Sequence, residues 1–276
     1  MAGSFALPFV AVDLLAQVSR VDCRLFPFQF PSVGEFAEDR VRLLQAVRAD
    51  LERRGLADDA GPAPDVLNAL ELLSGYHVAI AVMGKSGGRD LYARACAAGD
   101  RGVLAVQEAN GLSFRFVRPD SLARSVAELL PRVPAGPGQS VTITQPTAPP
   151  PLTEDRRGQS VFAQQVRPTR SPSEMRLQAA ADILGRPRRG SGYLLVNGRD
   201  RTGNESPAPR LTWLDTDAGR YLVRTGADGH EPATSSFFPA DPARLTHQLG
   251  ELIVSVAPPR EQQTRIGTSS LTPNGR

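Results

Sequence analysis

Between Tyr76 and Val117 the chain leaves no room for a crossover connection, and this restricts its fold more than any other feature. His77–Met83 is a near-continuous apolar run, Gly84–Arg89 (GKSGGR) reads as a turn, and Asp90–Ala98 alternates small apolar and polar residues. Gly99 and Asp100 turn the chain into 102–107, and Asn110 and Gly111 turn it into Leu112–Val117, where Leu112, Phe114 and Phe116 share one face. Parallel neighbours need a connection of about a dozen residues or more, so these four segments predict an antiparallel meander.

Helical patterns flank the meander. Ser32 and Glu35 have capping-box spacing, and Phe36, Leu43, Leu44, Val47 and Leu51 then fall on one helical face until Gly55. Pro64 suits a first helical position and leads Val66, Leu67, Leu70 and Leu73 to a stop at Gly75. Asp120 is placed to cap a closing helix bearing Leu122, Val126, Leu129 and Leu130. The same order then repeats: a helix from Ser171, Pro172 and Glu174 to about Leu184, strands at Tyr193–Val196, Arg210–Leu214, Arg220–Arg224 and Thr234–Phe238, and a helix from Pro242 to Val254. This predicts an α+β protein of two halves: 1–130, then a Pro-rich linker 131–159, then 160–256, then a disordered tail 257–276.

Charge and cysteine use exclude several classes. The net charge is +3, but among 32 basic residues only Lys85 is lysine, and the local arginine excess lacks interleaved aromatics for base stacking. No nucleic-acid partner is expected. Cys23 and Cys96 lie far apart in a chain with three histidines, which suggests neither a disulfide framework nor a metal site. The apolar stretch Phe5–Leu15 is broken by Pro8 and Asp13 and has no basic residue ahead of it, unlike a secretory signal, and no run approaches the roughly 20 apolar residues of a membrane span. The expectation is a cytoplasmic protein without membrane insertion.

Catalytic patterns are absent from the sequence. Gly84, Lys85 and Ser86 imitate the end of a phosphate-binding loop, yet the required glycine position is Ala79 and a strand rather than a helix follows. No serine sits in GxSxG, and no cysteine has an evident histidine partner. His77, His230 and His247 have no second ligand at metal spacing. No catalytic, cofactor-binding or metal residue is assigned. The run Trp213–Tyr221 (WLDTDAGRY) reads as a strand, a tight turn and a second strand with Trp213 and Tyr221 buried.

Four pieces carry a resemblance: Leu51–Leu56 (LERRGL), Leu211–Leu222 (LTWLDTDAGRYL), Pro239–Asp241 (PAD), and the order of elements over most of residues 5–255. In these the chain resembles the EspG family of ESX secretion-associated proteins. It departs from the family at His230, Glu231 and Pro232, where a tryptophan is typical. The resemblance implies a central antiparallel sheet with flanking helical bundles in two pseudo-two-fold-related halves, with no catalysis and no cofactor. It also implies a cytosolic chaperone of type VII secretion that binds helical PE-PPE-type cargo. The family's cargo-meeting hairpin falls on Gly84, Lys85, Ser86, Gly87, Gly88 and Arg89, together with parts of the second half. Homo-oligomerisation is neither predicted nor forbidden. Two other classes stay open at this point: a regulatory interaction module without a role in secretion, and a small-molecule enzyme with a deep polar pocket.

Overall fold

The structure is a computed structural model that describes residues 3–29, 37–144, 171–226 and 234–257. The first half contains β1 (Ser4–Pro8), α1 (Phe9–Ser19), α2 (Ala37–Arg53), the two-residue strands β2 (Ala57–Asp58) and β3 (Gly61–Pro62), and α3 (Pro64–Ser74). It continues through β4 (Val78–Ser86), β5 (Arg89–Ala98), β6 (Arg101–Gln107), β7 (Gly111–Val117) and α4 (Leu122–Ala127). Then come β8 (Val141–Thr144), α5 (Pro172–Leu184), β9 (Arg188–Arg199), β10 (Glu205–Pro207), β11 (Arg210–Thr216), β12 (Gly219–Gly226), β13 (Thr234–Pro239) and α6 (Pro242–Val256).

All strands except β2 and β3 join one sheet, in the order β1-β7-β6-β5-β4-β9-β11-β12-β13-β8, with β10 paired to β9. Every pairing in it is antiparallel. The order reads alike from either end. Each half contributes a four-stranded meander (β4 to β7, and β9 with β11 to β13) whose last strand takes an earlier edge strand, β1 or β8. The halves meet where Val78–Ser86 of β4 pair with Gly198–Gly190 of β9, centred on Val82 opposite Leu194.

Two elements depart from the expected pattern. Residues 131–144 are not a free linker: the backbone N–H of Arg220 donates to Pro134 O at 2.8 Å, Tyr221 Oη donates to Pro137 O at 2.9 Å, and β8 pairs with β13. Val141 and Ile143 are β-branched and half-buried, and partners on β13 outweigh the breaking effect of the surrounding prolines. The rest of that expected linker, 145–159, and all of the tail except Ala257 lie outside the described residues. The second departure is the N-terminus, where the alternation of Ser4–Pro8 makes an edge strand on β7 and Arg54 donates a hydrogen bond to its Ala6 carbonyl. A basic side chain laid on an edge carbonyl blocks pairing with another chain.

Helix ends follow local chemistry. Ser171 and Glu174 form the reciprocal capping box of α5, and Asp241 Oδ1 accepts from Arg244 N at 2.8 Å to cap α6. Asp120 does not cap α4. It lies inside a 3-10 turn, Pro119–Ser121, where its carboxylate accepts from Ser121 Oγ at 2.9 Å. The capping box expected at Ser32 and Glu35 lies outside the described residues. On α2, Val47 and Leu51 are buried as the pattern predicts, whereas Leu44 is exposed.

The two faces of the sheet carry different layers. On one, Val78, Ile80 and Val82 of β4, Leu194 and Val196 of β9, and Leu211 and Trp213 of β11 pack with α4 and α6. On the other, α1, α2 and α3 cover the first half over Leu112 and Phe114, and α5 covers the second over Leu214, Tyr221 and Phe237. The second face therefore has helices at both ends and none in the middle among the described residues.

Cys23 and Cys96 are both buried beside α3, with Sγ atoms 4.0 Å from the carbonyls of Leu70 and Leu73. Burial pushes the Cys23 thiol up to about 12, with a smaller push from the Asp22 carboxylate. Burial likewise raises Cys96 to about 11. The thiolate is the reactive form. Neither cysteine should react with a thiol reagent at about pH 8 in the folded chain, and both should react on unfolding; a fast native phase for either one would contradict this packing.

Candidate functional site

The uncovered middle of the second face is the candidate site. Strand alternation brings Ala79, Ala81, Met83 and Lys85 of β4 to it, with Tyr193, Leu195 and Asn197 of β9 beside them. Tyr193 is 40 % exposed, and Arg210 lies over its ring at 5.4 Å from the centroid. Met83, Leu195 and Asn197 are half-buried, Lys85 is exposed, and Ala79 and Ala81 are buried between the strands and their neighbours.

One end of this surface is the β4–β5 hairpin, which carries the residues singled out in the sequence. Gly84–Arg89 is not a loop over its whole length. Gly84, Lys85 and Ser86 continue β4 and pair with Leu91, Asp90 and Arg89, so the turn is Gly87-Gly88 alone. Both glycines have positive φ, +58° and +78°, as the two-residue turn that matches strand twist requires. Lys85 Nζ lies 3.5 Å from Asp90 Oδ1, and both side chains are exposed. With Met83, Tyr92 and Tyr193, this hairpin lines a cavity of about 320 Å³.

Gly84 serves packing rather than flexibility. A Cβ there would stand 2.7 Å from Trp213 Cη2, and one on Gly192 would also fall inside the indole and against the Met83 carbonyl. The fully buried Trp213 thus lies across two neighbouring glycines and presses β4 and β9 together below the hairpin. Glycine permits this close approach because it has no side chain.

The other end of the surface holds a cluster that no sequence motif announced. The Tyr76 ring is approached by two guanidiniums, with Arg199 Cζ at 4.2 Å and Arg94 Cζ at 4.9 Å from its centroid. Tyr76 Oη donates to Glu205 Oε1 at 2.6 Å, and Arg199 Nη2 reaches the same oxygen at 2.7 Å. These bonds, the tyrosine's first, hold the Glu205 carboxyl below the usual range. Burial chiefly, then the Glu205 bond, raises Tyr76.

Glu205 is positioned by the turn before it. Asp200 Oδ1 accepts from Thr202 Oγ1 at 2.7 Å, Thr202 N at 2.8 Å and Asn204 N at 2.9 Å, and these bonds, the Thr202 hydroxyl's first, hold its carboxyl down to about 2. Arg94 is only 6 % exposed. Its Nη1 donates to Phe26 O at 2.6 Å, while its buried Nε has no partner and no carboxylate forms an ion pair with it among the described residues. The sequence offered one faint signal for this cluster, an arginine amid small residues in DLYARACAA.

The EspG family model matches residues 8–251. This chain belongs to the EspG family. The solved structure of the Mycobacterium tuberculosis type VII secretion system chaperone EspG5 in complex with the PE25-PPE41 dimer is similar to it, with a TM-score of 0.60 at 14 % identity over 93 % of this chain and 97 % of that one. At that identity the likeness is one of fold, and it extends over the whole α+β architecture. No curated protein matches. No helix among the described residues of this EspG-family chain is long and apolar enough to cross a membrane.

Proposed function

We propose that this chain is a cytosolic chaperone of type VII secretion that holds a helical PE-PPE-type cargo pair before export, acting by binding alone, without catalysis or a cofactor. The observation that carries the reading is the EspG family match over residues 8–251, and the likeness to EspG5, solved with the PE25-PPE41 dimer, supports it. The open middle of the sheet supplies a surface suited to such binding, since exposed apolar ends of helices associate wrongly and a sheet face edged by a rigid hairpin can cover them. Gly84, Lys85, Ser86, Gly87, Gly88 and Arg89 form one edge of the cargo contact, with Gly84 acting from beneath. In this reading residues 1–130 form the first half, the second begins at the ordered segment before β8 and ends near residue 256, and 257–276 is a tail.

The test is co-expression with PE-PPE pairs from the source genome, followed by purification of the chaperone. Wild type should bring down a pair in equimolar amount. Lys85→Ala should change affinity by less than about fivefold, because an exposed rim charge contributes only about 0–1 kcal/mol. Replacing Gly87 and Gly88 together with bulky residues should reduce recovery far more, since it forces strained φ values and enlarges the hairpin tip. Full recovery by a well-folded double variant would remove the hairpin from the contact; no recovery by wild type would remove the chaperone reading itself.

A further inference from the structure

The cavity beside Arg94 has a volume of about 190 Å³ and is lined by Leu25, Phe26, Tyr76, Arg94, Leu195 and Glu205 among others. Of the two guanidiniums on the Tyr76 ring only Arg94 lines it, and the two are not equivalent. Arg199 is neutralised by Glu205 at 2.7 Å. Arg94 is buried, keeps an unpartnered Nε and, among the described residues, has no carboxylate within ion-pair distance; Glu205 on the same cavity acts on it only from farther away. A buried charge left in this condition is costly unless something completes it. The chain already shows what completes such a group, since Glu205 sits against Arg199 and the Tyr76 hydroxyl in the same cluster.

Resting on the chaperone reading above, we propose that this cavity receives the carboxylate of one aspartate or glutamate side chain projecting from the bound cargo, with Arg94 as the cation that pairs with it. Three observations favour a protein side chain over a free anion. The volume admits a carboxylate and its methylene stem but not a nucleotide-sized ligand. Leu25, Phe26 and Leu195 supply apolar wall for that stem, which a small free anion does not have to bury. The cavity also continues into the exposed sheet face through Leu195, two residues along β9 from Tyr193, so a partner lying on that face reaches it without a separate approach. The guanidinium fork gives the contact direction as well as charge.

Two measurements test this on the full chain. In the first, protein labelled with ¹⁵N-arginine is titrated with N-acetylglutamate methylamide, with its glutamine counterpart and with inorganic phosphate, and the Nε–H signal of Arg94 is assigned by its loss in Arg94→Gln. A saturable shift with the glutamate probe alone is expected. No shift with that probe, or an equal one with glutamine or phosphate, overturns the proposal.

In the second, affinity for the purified PE-PPE pair is compared between wild type and Arg94→Gln. The variant should bind about thirtyfold or more weakly, as for other truncated buried charge pairs. Its Tm should fall by no more than a few degrees, because loss of the bond to Phe26 O is offset by removal of a buried cation without an ion-pair partner. Unchanged affinity, or a Tm that falls by many degrees as for a merely structural arginine, overturns the pocket and leaves the chaperone reading standing. If wild type binds no pair, the chaperone reading and the cargo source of the carboxylate fall together, and the titration alone then decides whether the cavity binds a carboxylate.

Discussion

Asp215→Ala should destabilise the chain by about 3–5 kcal/mol in urea denaturation, because it strands the Arg220 guanidinium in the protein interior. Arg220 is wholly buried, with Nε 2.6 Å and Nη2 2.9 Å from the two carboxylate oxygens of Asp215 directly across the β11–β12 ladder. Its Nη2 also donates to Pro131 O at 2.9 Å, and its backbone N–H donates to Pro134 O. Its backbone carbonyl accepts from Gly136 N and Ala240 N. One residue therefore fastens the chain leaving α4, the second meander and the entry to α6. The informative control is the double variant Asp215→Leu with Arg220→Met, which removes both charges. It should recover to within about 2 kcal/mol of wild type, since replacing a whole buried pair by apolar groups is often close to neutral. A cost below about 1 kcal/mol for Asp215→Ala would mean that water reaches the pair.

Gly192→Ala should cost at the top of the usual range for overpacking, about 3 kcal/mol, and should do so through Trp213. The added methyl would occupy the space of the indole edge and crowd the Met83 carbonyl on the neighbouring strand. Trp213→Leu in the same chain vacates the indole. The double variant should therefore be less destabilised than the sum of the singles by at least about 0.5 kcal/mol, the threshold for coupling between residues in contact. Additive costs would show that the methyl is opposed by β4 backbone alone, and that the indole does not hold the two glycines together. Loss of hydrogen-exchange protection at Met83 and Gly84 in Gly192→Ala would locate the damage at the meeting of β4 and β9.

What could be read from the residues depended on whether the signal was local. The first meander was legible because Gly87-Gly88, Gly99 and Asn110-Gly111 mark its turns in the chain itself. The α5 capping box was legible for the same reason: Ser171 and Glu174 meet across one helical turn. The beginning of β9 is not legible because Arg188–Gly192 is polar and glycine-rich; Gly192 makes sense only once Trp213 of another strand lies over it, and Gly190 only once the Lys85 carbonyl of β4 lies against it. β8 was hidden in a proline-rich stretch, since its four residues are strand-like only against β13.

The site divided in the same way. The hairpin was found from its glycines and from the family resemblance, although its turn proved two residues long. The cluster around Arg94 leaves no such local mark in the sequence. Tyr76, Arg94, Arg199 and Glu205 are scattered along the chain, and nothing in the spacing of the residues tells which arginine gains a carboxylate and which is left without one.

The strand order, alike from either end, has a consequence for what holds the molecule together. Every strand of the first meander pairs within residues 1–130 except at β4, and every strand of the second pairs within its own half except at β9. The two meanders thus relate as partner subunits do, through one antiparallel seam, the packing of α4 on α6, the cluster of Tyr76 with Arg199 and Glu205, and the bonds of Arg220 to the chain leaving α4. The chain is in effect a dimer whose subunits share one polypeptide. Joining them replaces a concentration-dependent association by an intramolecular one, so the seam can be held by less intrinsic affinity than two free chains would need. It also leaves the two meanders free to differ: at equivalent strand ends, one can keep a glycine hairpin while the other does not, and a symmetric frame can present an asymmetric surface.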